Sequence, residues 1–140
     1  MKTYHEKISK ELNVTPEKAW EVIGAVSGVD KWFNSLIKSC RVDGDKRYCE
    51  TGEGHQFTED ILEVNHETRI FKYAIPKQDM LPVENIIGTM SVDSNTDGLA
   101  IVNWSATFES ASENAEKAQE AFINLWGMGL NDMEEYINKG

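Results

Sequence analysis

Basic residues are scarce in this 140-residue chain: 14 lysines and arginines stand against 24 aspartates and glutamates, a formal charge of −10. A nucleic-acid binder needs a basic footprint that displaces counterions. No segment concentrates Lys and Arg, so no nucleic acid is expected as a partner, and an anionic membrane surface repels the chain for the same reason. Long hydrophobic runs are missing too. No stretch approaches the ~20 apolar residues of a membrane span, so no membrane insertion is expected. The opening Met1-Lys2-Thr3-Tyr4-His5-Glu6-Lys7 lacks the apolar core of a signal peptide. The expected location is cytoplasmic, where thiols stay reduced. Only two cysteines occur. In that compartment Cys40 and Cys49 read as core thiols, and the sequons Asn13-Val14-Thr15 and Asn103-Trp104-Ser105 stay unmodified.

Catalytic signatures are equally sparse. No Gly-x-Ser-x-Gly elbow, phosphate loop or dinucleotide fingerprint occurs, so no cofactor is expected. His5, His55 and His66 lack zinc-like spacing to each other or to the cysteines. Asp93-Ser94-Asn95-Thr96-Asp97-Gly98 imitates the opening of a calcium loop, but its twelfth position is Trp104 where the ligand should be Glu. No metal is expected. With no nucleophile–base pair in view, covalent catalysis has no support.

What is present is a patterned chain of one-domain length, 40% hydrophobic, able to bury roughly two-thirds of its unfolded surface. Tyr4, Ile8 and Leu12 mark a first strand over Thr3 to Leu12. Thr15 is placed to cap a helix that Pro16 opens and Glu17 favours electrostatically. Ala19, Trp20, Val22, Ile23 and Val26 form its apolar face, Ser27-Gly28 ends it, and a short helical turn, Val29 to Phe33, follows. From Ser35 to Ser110 the period is two. Turn residues at 43–45, 52–54, 65–67 and 94–98 separate strands at about 35–43, 46–51, 55–64, 68–76, 83–93 and 99–109. Ala111 to Lys139 reads as one helix, with Ser112 or Asn114 as its cap. Its stripe is Ala118, Phe122, Leu125, Trp126, Gly129, Met133, Tyr136 and Ile137. Gly127 and Gly129 each cost ~1 kcal/mol against Ala there, which a close approach, a bend or room for a ligand would offset.

This order excludes a parallel doubly wound fold. The expectation is an α+β domain in which a curved seven-stranded antiparallel sheet wraps around the long C-terminal helix, with two short helices between the first two strands. Twist curls such a sheet into a trough. A helix across a trough leaves a gap that suits a small ligand. An acidic surface and no spare apolar stripe point to a monomer, with a dimer left open.

The residues also resemble a known family. The stretch Val14-Thr15-Pro16-Glu17-Lys18-Ala19-Trp20-Glu21-Val22-Ile23, then Trp32 and Cys40-Arg41-Val42-Asp43-Gly44, is similar to the polyketide cyclase/dehydrase branch of the START-like (SRPBCC) superfamily. So are Arg47, Gly54, Phe57-Thr58-Glu59, Phe71-Lys72-Tyr73-Ala74-Ile75, Gly88-Thr89 and Val102-Asn103-Trp104-Ser105-Ala106-Thr107-Phe108. The resemblance spans essentially the whole chain without a short diagnostic motif. It implies the helix-grip fold of the birch-pollen allergen and plant hormone receptors, with a cavity between sheet and final helix. It does not imply one activity: members bind lipids, hormones or polyketides, and a few catalyse cyclisation.

Turn lengths predict which side chains face that cavity. A two-residue turn at Gly44-Asp45 sets Cys40 opposite Cys49 and Val42 opposite Arg47. A three-residue loop, 52–54, sets Cys49 opposite Phe57 and Arg47 opposite Glu59. A three-residue loop at 65–67 sets Ile61 opposite Phe71, Glu59 opposite Tyr73 and Phe57 opposite Ile75. The resulting face holds Cys40, Val42, Cys49, Phe57, Ile61, Phe71, Tyr73 and Ile75, with Arg47 and Glu59 among them. Ala100, Val102, Trp104, Ala106 and Phe108 share the last strand's inner face. Strand 83–93 is ambiguous: Ile86, Gly88, Met90 and Val92 are the better set, with Gly88 making room for Trp104, and Val83, Asn85, Ile87 and Thr89 are the alternative.

Glu59 is the sharpest candidate, because a carboxylate on an apolar face must be paired. Arg47 and the Tyr73 hydroxyl are the expected partners. Either the pair orients a ligand's polar group, with Glu59 the candidate catalytic base, or it is a structural ion pair at the cavity rim. The candidate ligand-binding set is Trp32, Arg47, Phe57, Glu59, Tyr73, Met90, Trp104, Phe122 and Trp126, and its aromatic members also read as ordinary core. The two facing thiols read as core or as a redox pair. The expected function is to bind a small, largely hydrophobic, lipid- or polyketide-like ligand. The alternatives are a cyclase/dehydrase-type enzyme using Glu59, Tyr73 or Arg47 for proton transfer, and an interaction domain with a vestigial cavity.

Overall fold

The computed structural model describes residues 1–139. Its elements run β1 (Lys2–Leu12), α1 (Pro16–Gly24), α2 (Val29–Trp32), β2 (Ile37–Asp43), β3 (Lys46–Thr51), β4 (Gln56–Asn65), β5 (Ile70–Ile75), β6 (Glu84–Ser94), β7 (Ala100–Ser110) and α3 (Ser112–Lys139). The seven strands form one antiparallel sheet in the order β1-β7-β6-β5-β4-β3-β2. The sheet is curved and α3 packs on it mainly along β1, while α1 and α2 each touch both the sheet and α3. This is the helix-grip architecture.

Local chemistry accounts for the elements. Thr15 Oγ1 accepts a hydrogen bond from the Lys18 amide at 3.3 Å, and Pro16 opens α1. The helix stops at Gly24, earlier than Ser27-Gly28, and Val26 beyond it takes φ 66°. That left-handed geometry is costly for a β-branched residue and persists only when the surroundings hold it. β7 alternates without fault, burying Ala100, Val102, Trp104, Ala106 and Phe108. On α3 the buried stripe is Ala115, Ala118, Phe122, Trp126, Gly129, Leu130 and Met133. Tyr136, expected on it, is exposed, while its neighbour Ile137 still packs against the core; Leu130, outside the expected stripe, is fully buried. Each large side chain buried this way contributes ~1.5–3 kcal/mol relative to exposure.

Register follows the turn lengths on one side of the sheet and departs from them on the other. Cys40 pairs with Cys49, Val42 with Arg47, Cys49 with Phe57 and Arg47 with Glu59. Val42 nevertheless stays 38% exposed, because β2 is an edge strand that α3 does not reach. Between β4 and β5 the expected pairs do not form. Ile61 lies opposite Tyr73 and Val64 opposite Phe71, and the ladder begins at Asp60 opposite Ala74, so Glu59 does not pair with Tyr73, nor Phe57 with Ile75. The connection is longer than three residues: Asn65 Oδ1 accepts from the Glu67 and Thr68 amides at 3.0 and 3.1 Å, and Arg69 adopts φ 56°. A bulge between Ile61 and Glu63 absorbs the difference, leaving Leu62 53% exposed and returning Val64 to the inner face.

β6 points Ile86, Gly88, Met90 and Val92 inward and Ile87 outward. Gly88 makes room for Tyr73 rather than Trp104, since a Cβ there would lie 2.2 Å from the Tyr73 ring. Gly129 serves the same purpose on α3: a Cβ would sit 3.0 Å from Trp104 and 3.1 Å from Phe33.

Candidate functional site

Between the sheet and α3 lies a partly open hollow of ≈100 Å³. All nine residues of the expected ligand-binding set border it. α2 contributes Trp32, β3 Arg47, β4 Phe57 and Glu59, β5 Tyr73, β6 Met90, β7 Trp104, and α3 Phe122 and Trp126. Val29, Ile37, Cys49, Ile75, Ile86 and Leu125 also border it, as do Phe33, Leu36, Gln78, Met80 and Leu81, which sequence reasoning missed. The last three belong to the loop between β5 and β6, which carries no period. Its signal was Pro76 and Pro82 bracketing Lys77-Gln78-Asp79-Met80-Leu81. Gln78 staples this loop from inside: Nε2 donates to the Leu81 and Val83 carbonyls at 2.8 and 3.0 Å, and Oε1 accepts from the Met80 and Leu81 amides at 2.8 Å each.

Apart from Gln78, whose amide is engaged within its own loop, the wall is mainly apolar and aromatic, with one charged spot. Trp104 stacks on Trp126 with centroids 5.8 Å apart and meets Phe33 edge-on at 6.1 Å. Arg47 and Glu59, each 6% exposed, form an ion pair through Nε and Oε1 on this wall. Arg47 Nη1 donates to the Val26 carbonyl at 2.6 Å, and its guanidinium lies 5.0 Å over the Phe71 ring. The same arginine thus holds the strained Val26 backbone in place. Burial alone would lower the Arg47 guanidinium, but the Glu59 charge and hydrogen bond outweigh it and hold it above its ordinary value.

Tyr73 Oη accepts from Trp104 Nε1 at 2.9 Å. Burial, reinforced by the Glu59 charge, pushes the phenol well above its usual range, so it stays protonated. No acceptor among the described residues takes up its O–H. No side-chain nitrogen or oxygen sealed inside the described protein lacks a partner. Arg47 Nη2 and Glu59 Oε2, which bond to nothing in it, must therefore reach space that water can touch. The hollow is the space both residues border.

A wider depression of ≈750 Å³ runs along β2, β3 and β4. Arg41, Lys46, Glu50, Gln56, Thr58 and Asp60 are among its lining residues. It is open to solvent, and Cys40, Tyr48, Cys49, Phe57 and Pro76 line it beside these polar side chains. Among the described residues no three His, Cys, Asp or Glu side chains cluster to hold a metal ion, and no helix is long and apolar enough to cross a membrane.

Residues 6–132 match the family described as polyketide cyclase/dehydrase and lipid transport. The chain belongs to this family. None of the curated proteins matches it. Among solved structures, an uncharacterised Bacillus thuringiensis protein superposes with TM-score 0.87 at 24% identity, covering 96% of this chain and 98% of its own. The XoxI protein of Bacillus cereus gives 0.84 at 26%, covering 95% and 94%. A Thalictrum flavum norcoclaurine synthase point mutant, in complex with a transition-state analogue, gives 0.77 at 13%, covering 99% and 96%. The polyketide cyclase/dehydrase and lipid transport family is thus matched over nearly the full chain, and these likenesses agree with the helix-grip fold.

Proposed function

We propose that the protein binds a small, largely apolar molecule carrying one hydroxyl-like polar group, held between the sheet and α3. The observation that carries this reading is the buried Arg47–Glu59 pair, which borders a mainly apolar hollow together with Tyr73. Their chemistry selects the polar group. Arg47 and Glu59 neutralise each other, so a full charge on the ligand has no counter-ion. Glu59 Oε2 accepts, while Arg47 Nη2 and the Tyr73 O–H donate. A hydroxyl both donates and accepts, and satisfies this wall. The family's description, which includes lipid transport, supports an apolar partner.

The hollow holds about three waters' worth of volume as it stands, below the ~300 Å³ of a drug-sized site. A drug-sized guest therefore needs the wall to open, and on this reading the Met80 and Leu81 side chains, carried by the loop between β5 and β6, are the ones that move. The protein acts in the cytosol as a monomer on this reading, consistent with its charge of −10.

Titration with 2-naphthol against naphthalene tests the proposal. The naphthol should bind roughly tenfold tighter, as one charge-assisted hydrogen bond provides. Equal affinities, or no binding of either, would overturn it. Native mass spectrometry of gently purified protein should show a persistent extra mass.

A catalytic version uses the same wall, with Glu59 Oε2 taking a proton and the protonated Tyr73 giving one. Loss of turnover without loss of binding in Glu59→Gln would favour it.

A further inference from the structure

The two cysteines lie outside the chemistry described above, although one of them touches its wall. Cys40 on β2 and Cys49 on β3 are direct cross-strand partners. Both are free thiols, and their sulfurs lie 3.1 Å apart. The pairing is favourable for a bridge. A two-residue turn closes the hairpin with Asp43 opposite Lys46; such a turn makes its closing pair hydrogen-bonded, and alternation then makes Cys40–Cys49 a non-hydrogen-bonded pair, the type with the closer side chains. No backbone movement is needed to bring the sulfurs together.

The two thiols are not equivalent. Cys40 is half-buried on an edge strand, while Cys49 is buried and also borders the hollow. Both line the solvent-open depression along β2, β3 and β4. A small oxidant therefore reaches Cys40 first. Arg47 and Glu59 face the pair from β3 and β4, and Asp30 from α2. The hydrogen bond from Cys49 lowers the Cys40 thiol and raises that of Cys49, so thiolate character gathers on the accessible sulfur.

We propose that Cys40 and Cys49 form a reversible modification site that reduces a hydroperoxide and closes to an intramolecular disulfide. The Cys40 sulfur attacks the terminal peroxide oxygen and the O–O bond breaks. The alcohol, or water from hydrogen peroxide, leaves with a proton, and Cys40 becomes a sulfenic acid. The Cys49 sulfur then attacks the Cys40 sulfur, the S–O bond breaks, and the hydroxyl leaves as water with the Cys49 proton. Two thiols and one hydroperoxide thus give one disulfide, one alcohol and one water, with two electrons moved from sulfur to oxygen. A cellular dithiol reverses the bridge by exchange.

The experiment exposes the reduced full-length chain to hydrogen peroxide and follows free thiols, intact mass and a non-reducing tryptic map. Both thiols should disappear together with a mass loss of about 2 Da. Trypsin should release Ser39–Arg41 joined to Tyr48–Arg69, and dithiothreitol should separate them. In Cys49→Ala, dimedone should label Cys40. In Cys40→Ser, which alters only an edge position, Cys49 should react at least about tenfold more slowly than Cys40 does. Disulfide-linked dimers, separate over-oxidation of the two cysteines, labelling that favours Cys49, or two thiols surviving the treatment would each overturn the proposal.

Discussion

Replacing Glu59 by glutamine strands the Arg47 guanidinium inside the protein. Both side chains are 6% exposed, so neither charge has water to fall back on. Breaking a pair this deep by removing one partner costs ~3–5 kcal/mol. Arg47 keeps two other supports, the Val26 carbonyl at 2.6 Å and the Phe71 ring at 5.0 Å. These place the expected loss at the lower end, ~3 kcal/mol. For a chain of this length that lowers Tm by roughly 10 °C. Arg47→Met alone should cost as much or more, because it buries an unpaired carboxylate and frees the Val26 backbone. The double variant Arg47→Met/Glu59→Gln should recover ~2–3 kcal/mol relative to the sum of the singles, since no buried charge is then left. Urea unfolding followed by fluorescence and circular dichroism gives all four corners of the cycle. If Glu59→Gln stays within ~0.5 kcal/mol of the parent, or the double variant equals the sum of the singles, the reasoning fails.

Three further predictions follow from named contacts. Gly127→Ala meets nothing within 4 Å and should stabilise by ~0.5–1 kcal/mol through helix propensity, Gly129→Ala should lose that gain against Trp104 and Phe33, and Gly88→Ala should destabilise by more than ~3 kcal/mol against the Tyr73 ring; chemical unfolding of the three variants ranks them. The raised phenol of Tyr73 contributes stability that is full below the ordinary tyrosine value near 10 and is lost as pH climbs above it. Stability measured from pH 9 to about 12 should therefore fall more steeply in the parent than in Tyr73→Phe. Gln78→Ala removes four hydrogen bonds from the loop between β5 and β6, and should speed hydrogen exchange at Met80 and Leu81 while leaving the α3 core protected.

The parts of the fold written in short-range chemistry were legible. Thr15-Pro16 announced α1, and the Gly44-Asp45 turn fixed the cysteine and Arg47 pairings, because a two-residue hairpin leaves no freedom of register. Legibility stopped where a longer loop met a compensating bulge. Arg69 at φ 56° looks like any other residue in a sequence, and the extra residue at Leu62 shows only once Tyr73 is seen opposite Ile61. Glu59 stood out because a carboxylate interrupts an apolar alternation. Val26 as an acceptor for Arg47 did not, since that contact joins elements far apart in the chain. The size of the hollow was out of reach as well: Met80 and Leu81 form part of its wall, and a loop without period carries no signal of where they rest.

The indole of Trp104 has an optical consequence. Its N–H ends on the Tyr73 oxygen, and its ring overlaps Trp126 on α3. Any guest that claims the phenol changes the ground-state dipole next to one chromophore and the overlap with a second. Emission colour and exciton-coupled ultraviolet dichroism should both register occupancy without an added dye. The chain therefore carries its own spectroscopic gauge at the very wall where a guest would sit.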